Sequence, residues 1–306
     1  MQKIIPHLWF DTQAKEAAEF YVKAFSSIGH ESKVTNVTTL HDTPSGDADT
    51  VSFNLDGYAI MAISAGPYLK LNPAISFMVN FDPSKDAQAA EHLDALWELL
   101  SEGGKPLMPL QEYPFSKRYG WIEDRFGVSW QLILTNPEGE DRPFIIPSLL
   151  FTGDAYAKAE EASDFYMSVF KDAKRGTMAR YPAGMEPDKE GAVMFSDFML
   201  EGQWFTAMDS SPERGHTFTF SGAFSLLVQC DTQEEIDYFW QKLSAVPEAE
   251  QCGWLQDAYG VTWQIVPRRV QEMMAQGTPE QVARVTQAFL PMKKFDIAAL
   301  EAAFEG

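Results

Sequence analysis

Residues 120–133 read GWIEDRFGVSWQLI and residues 253–266 read GWLQDAYGVTWQIV, with seven positions identical. The shared positions are the Gly-Trp pair, the Asp, the Gly-Val pair and the Trp-Gln pair. Working outward, residues 5–25 read IPHLWFDTQAKEAAEFYVKAF and residues 146–170 read IPSLLFTGDAYAKAEEASDFYMSVF. Each of these is an apolar strand, then turn residues, then an Ala/Glu-rich helix ending in Phe-Tyr-x-x-x-Phe. Two such matches in the same order mark a tandem duplication.

Each copy divides again into halves. In the first copy a strand and helix over 4–25 lead into alternating runs at 32–40, 49–55 and 58–64. A new cycle follows, with a strand at 74–81, a helix over 84–101 and strands near 105–110, 119–124 and 129–134. The second copy predicts a strand at 146–151, a helix over 156–170 and strands near 176–181, 192–200 and 203–208. Its second half predicts a strand at 223–230, a helix over 232–244 and strands at 253–257 and 261–266. Period 2 in the strands and 3.6 in the helices make these strand-helix-strand-strand-strand units. Thr232 ahead of Gln233-Glu234-Glu235 supplies a cap oxygen and puts carboxylates at the positive end of the helix.

The copies differ in one spacing. Ser76 to Gly120 spans 44 residues, whereas the matching Ser225 to Gly253 spans 28. The first copy therefore carries an extra segment, GGKPLMPLQEYPFSKR at 103–118, expected to act as a lid, with completion of the sheet edge and a cup filled by side chains as the alternative. After Pro267 comes a tail with no counterpart in the first copy. In it Thr278-Pro279-Glu280-Gln281 is a helix start, and Asp296 caps a final short helix. The tail is expected to pack across the sheets.

Composition bounds the partners. The 306 residues hold 24 Lys+Arg against 44 Asp+Glu, a formal net charge of −20, with 45% hydrophobic and 22% charged residues. That is a globular composition, and its acidity disfavours nucleic acid and membrane surfaces as partners. There is no signal-peptide h-region before Asp11, no apolar run of membrane-spanning length, and only Cys230 and Cys252. A cytoplasmic setting is expected. The chain lacks G-x-G-x-x-G, Walker, H-E-x-x-H and G-x-S-x-G motifs.

Four such units, with Asp-x-Phe/Tyr-Gly-x-x-Trp-Gln closing each copy, resemble the vicinal oxygen chelate superfamily of glyoxalases, bleomycin-resistance proteins and extradiol dioxygenases. PHLWFD…EFYVKAF, NPAISFMVNF, TQEEIDYFWQKL and the tail MKKFDIAALEAAF look more closely like its PhnB-like branch, labelled 3-demethylubiquinone-9 3-methyltransferase. The resemblance implies an α+β fold of paired βαβββ modules, one cup per copy. The domains would be 1–135 and 146–268, joined by a linker at 136–145 and followed by a helical extension at 269–306, an internal pseudo-dimer.

Metal-dependent relatives hold a divalent ion on His, Gln or Glu, which polarises substrate oxygens. Carried over by position, the last-strand ligand falls on Gln131 and Gln264, and the first-strand ligand on His7 and Ser148. Asp209 is the only strong donor offered by the last strands of the first modules. One imidazole and neutral amides form a poor donor set, so cups without a cofactor are expected, with a divalent metal on His7, Gln131 or Gln264 as the competing expectation. Trp121, Trp130, Trp254 and Trp263 read as core, and His216 as a loop residue beside the second cup.

Candidate catalytic residues are His7 and Glu123, the latter replaced by Gln256 in the second copy. Candidate ligand contacts are Gln131, Trp121, Tyr113, Phe115 and Arg118, all assigned to the cup of the first copy. The expected function is binding of a small aromatic or anionic metabolite. A metal-dependent lyase, isomerase or dioxygenase is the alternative, and methyl transfer, lacking a cofactor turn, the weakest reading.

Overall fold

The computed structural model describes residues 2–43 and 45–306. The first repeat comprises β1 (Ile4–Phe10), α1 (Ala14–Ser27), β2 (Ser32–Thr43), β3 (Gly46–Leu55) and β4 (Tyr58–Ser64), then β5 (Ile75–Phe81), α2 (Ala89–Ser101), β6 (Lys105–Tyr113), β7 (Ser116–Glu123) and β8 (Ser129–Leu134). The second repeat comprises β9 (Ile145–Phe151), α3 (Ala159–Val169), β10 (Lys174–Arg180), β11 (Val193–Leu200) and β12 (Gln203–Asp209), then β13 (Phe224–Cys230), α4 (Gln233–Leu243), β14 (Trp254–Gln256) and β15 (Thr262–Pro267). The tail forms α5 (Arg268–Gln276), α6 (Pro279–Phe289) and α7 (Ile297–Glu305). The fold is α+β, built of tandem glyoxalase-like modules with a helical tail. No helix among the described residues is long and apolar enough to cross a membrane.

The strand order corrects the expectation of one cup per copy. One sheet runs β14-β15-β13-β1-β4-β3-β2 and the other β10-β11-β12-β9-β5-β8-β7-β6. Each sheet therefore joins the first module of one repeat to the second module of the other. The chain accordingly clusters into two compact units. The first unit is 1–22, 33–70 and 221–306, and the second is 23–32 and 71–220. The boundaries 1–135 and 146–268 follow the sequence repeats but cut across both units. The join is antiparallel in each case, with His7 opposite Ser225 in the first unit and Ser148 opposite Ser76 in the second. The two second-module strands, ISFMVNF and FSLLVQC, offer a first-module strand nearly the same apolar edge. Local sequence cannot choose between them, the degeneracy that underlies segment exchange between copies.

In the first unit Leu8 and Phe10 alternate with His7 and Trp9 along β1, so the two sets face opposite sides of the sheet. Trp263 is fully buried, as is Tyr21, which stacks on Phe53 at 6.2 Å. In the second unit Trp130 is the matching buried residue, 4.9 Å from Phe77.

The repeated motif is a hairpin clamp. Asp124 Oδ1 accepts from the Phe126 and Val128 backbone N–H groups, and Oδ2 from Trp130 Nε1 at 2.8 Å. Asp257 does the same for Tyr259, Val261 and Trp263. Gly127 at φ 84° and Gly260 at φ 90° turn the chain through the left-handed region, which explains the glycine in both copies.

Two expected helices start later than read. Asp82 accepts from Ser84 N and Asp86 from Gln88 N, so polar turns hold 82–88 and delay α2 to Ala89. Residues 153–155 form a separate 3₁₀ turn before α3. The tail's starts at Thr278 and Asp296 stand as read, the first with a full capping box. Helix α5, which follows β15 directly and has no side-chain cap, was not anticipated.

Candidate functional site

The concave face of the first unit bears a half-open cavity of about 770 Å³. Its floor is the inward-facing set of the sheet, with His7 and Trp9 on β1, Met61 and Ile63 on β4, and Gln264 and Val266 on β15. Its outer wall is the tail, through Val270 and Met274 on α5, Phe289 and Leu290 from α6 onward, and Phe295. The tail replaces a missing strand. No fourth strand precedes β14 as β6 precedes β7, and there the Cys252 and Gly253 N–H groups donate at 2.7 Å to the Met292 and Lys293 carbonyls. A Cβ at Gly253 would lie 2.7 Å from the Phe295 ring, so glycine is needed for the tail to approach.

His7 lines this cavity, 5% exposed, and its buried Nδ1 has no hydrogen-bond partner among the described residues. The Trp254 ring meets it edge-on, with centroids 5.5 Å apart at 90°. Burial without a charged neighbour lowers its pKa to about 4, so the imidazole is neutral at neutral pH. Gln264 Nε2 donates to Ser225 Oγ at 2.9 Å.

The matching position of the second unit carries a hydrophobic cluster. Tyr119, Trp121 and Leu150 form a buried cluster against which Leu107, Met108, Tyr113, Ile133, Met208 and Phe218 pack. Gln131 is closed off as well: Oε1 accepts from Tyr119 Oη at 2.8 Å, and Nε2 donates to Ser76 Oγ at 2.7 Å and to Ser148 Oγ at 3.3 Å. Its amide is spent on structure.

The candidates from the sequence are thus divided. His7 belongs to the first unit, whereas Glu123, Gln131, Trp121, Tyr113, Phe115 and Arg118 belong to the second. The expected pairing of His7 with Gln131 is replaced by His7 with Gln264, because β1 joins β13 and β15 rather than β5 and β8. Arg118 donates to Asp94 on α2 at 2.7 Å. It alternates along β7 with Tyr119 and Trp121, and so points away from the cup. Trp121 donates to Ser129 Oγ at 2.8 Å within the packed cluster. Phe115 is 62% exposed and stacks on Tyr113 at 5.6 Å. The expected lid segment is largely strand β6, an integral edge of the sheet rather than a lid. Glu123 is half-buried with its pKa raised by desolvation, and it stands opposite Lys105 in the strand register. Asp209 accepts from the Val193 and Ala159 N–H groups, a structural role. His216 lies in the second unit, its ring 6.1 Å from Trp121 and 5.2 Å from Phe218.

The sequence does not single out the wall residues Met274, Leu290 and Phe295. The spacing of 28 residues against 44, with a tail lacking any counterpart, is the signal that places them there.

A divalent ion, implied by the superfamily, does not suit these donors. The cavity offers one imidazole, one thiol and neutral amides and hydroxyls. Among the described residues no group of three or more His, Cys, Asp or Glu could hold a metal.

Comparison with known proteins places the fold. Glyoxalase I from Zea mays is 11% identical with a TM-score of 0.51, covering 90% of this chain and 98% of its own. A putative dioxygenase from Bacillus subtilis is 12% identical with a TM-score of 0.50, covering 88% of this chain and 89% of its own. A putative 3-demethylubiquinone-9 3-methyltransferase, PhnB protein, from Bacillus cereus is 32% identical with a TM-score of 0.38; it covers 44% of this chain and 100% of its own. No curated protein matches. The model of the family described as 3-demethylubiquinone-9 3-methyltransferase matches twice, over residues 2–133 and 143–266. The chain belongs to that PhnB-like family, whose model matches once in each tandem repeat.

Proposed function

We propose that this protein binds a small organic molecule, without a metal, in the cavity of the first unit. The observation that carries this reading is the contrast between two equivalent positions. One carries a buried Tyr119–Trp121–Leu150 cluster with half-buried side chains packed on it, while the other borders a cavity of about 770 Å³ lined by His7. That volume and a mainly apolar lining with a few convergent polar groups are those of a ligand site. His7 and Gln264 supply the polar contacts, Trp9, Trp254 and Met61 the apolar surface, and the tail one wall. The methyl transfer in the family's description is not carried over. The first strand runs into Asp11-Thr12-Gln13 with no glycine-rich turn to hold a nucleotide-like cofactor.

A thermal-shift screen of aromatic and anionic metabolites tests the reading. A true hit raises Tm by mass action, is lost in Gln264→Leu or in the cavity-filling Met274→Trp, and survives Gln131→Leu. A hit lost only through Gln131 would move the site to the second unit.

A further inference from the structure

Resting on that reading, we infer that the ligand is an uncharged, ring-bearing molecule whose hydroxyl or carbonyl group hydrogen-bonds the His7 imidazole from the cavity side. None of the described residues lining the cavity is Asp, Glu, Lys or Arg, in a chain of net charge −20. A carboxylate or phosphate entering it would lose its hydration and meet no cation, a cost that neutral donors do not offset. The chain as a whole would also repel it. The same lining has no carboxylate to reward a cation.

What remains is a largely apolar space with aromatic edges. Trp9 and Trp254 lie 6.1 Å apart at 79°, with Phe289 and Phe295 in the opposite wall. Flat rings pack well on such edges. Trp9 is already committed through Nε1 to the Gly66 carbonyl at 2.8 Å, so its ring is a fixed surface.

The polar anchor is the His7 ring, the one imidazole among the described residues lining an otherwise largely apolar space. A hydroxyl can serve either tautomer of a neutral imidazole, and a carbonyl serves the one whose protonated nitrogen faces the cavity. The imidazole stays neutral because burial opposes its protonation.

The test uses naphthalene, 2-naphthol and 2-naphthoate, titrated against the full chain and followed by tryptophan fluorescence and calorimetry. We expect 2-naphthol to bind at least tenfold more tightly than 2-naphthoate, and about fivefold or more above naphthalene. His7→Phe should abolish the preference for naphthol over naphthalene while keeping naphthalene binding, and His7→Gln, which retains a donor and an acceptor, should restore part of it. Equal binding of naphthoate and naphthol overturns the inference while leaving the cavity a ligand site. A naphthol preference unchanged in His7→Phe overturns the anchor. Binding of none of the three, or binding indifferent to Met274→Trp, overturns the cavity reading and the inference together.

Discussion

The two cups begin from nearly the same residues and end differently. Gln131 and Gln264, Ser76 and Ser225, and Trp121 and Trp254 occupy matching positions. In the second unit β6 supplies Leu107, Met108 and Tyr113 to close the concave face. In the first unit that strand is absent, helices α5 and α6 stand in its place, and the space stays open. Two exchanges complete the contrast. Tyr119, which satisfies Gln131, becomes Cys252, and Ser148, which also meets Gln131, becomes His7. One missing strand and two exchanges thus separate a clustered concave face from one that borders a cavity.

The clamps are the shared part of the comparison and should show the largest effects. Asp124→Ala and Asp257→Ala each strand an indole N–H and two backbone N–H groups, at about 4 kcal/mol apiece. Urea unfolding followed by tryptophan fluorescence should show similar losses for both. A large loss in one and a small loss in the other would mean that the motif has diverged in role.

His7 has no titrating counterpart at Ser148, and the pH dependence should expose it. Its folded pKa of about 4 lies below the ordinary 6.5, so the unfolded chain takes up the proton first as pH falls. Stability from neutral His7 is whole above 6.5 and is lost as pH drops toward 4, on the order of 3 kcal/mol. The stability of wild type relative to His7→Gln should therefore fall between pH 7.5 and 4.5. A constant difference would show that the imidazole is hydrated.

Packing gives the smaller contrast. Met108→Ala removes a side chain from the filled cluster and should cost about 2–3 kcal/mol. Met274→Ala trims a wall that already borders empty space, so about 1 kcal/mol is expected. Chemical denaturation distinguishes the two, and equal costs would mean that the cavity wall is as tightly packed as the core.

Much of this molecule is legible along the chain. The duplication, the order of strands and helices, the caps at Thr232, Thr278 and Asp296, and the burial of Trp130 and Trp263 follow from local pattern and hold in the structure. The candidate site was only half legible. His7 and Gln264 could be named from their strands, but Gln131 was equally eligible, since nothing local distinguishes one buried amide from the other. Arg118 looked like an anion contact because its charge is visible in sequence, whereas its partner Asp94 lies 24 residues away.

What the sequence determined by itself is the set of modules and their internal geometry, because alternation, capping and Asp-Gly turns act over a few residues. Only the tertiary structure decided which halves share a sheet and which cup is hollow. Strand pairing is chosen between edges of nearly identical chemistry. A cavity, moreover, is a property of what fails to arrive from elsewhere in the chain: here a strand that is missing and a tail that covers the space without filling it.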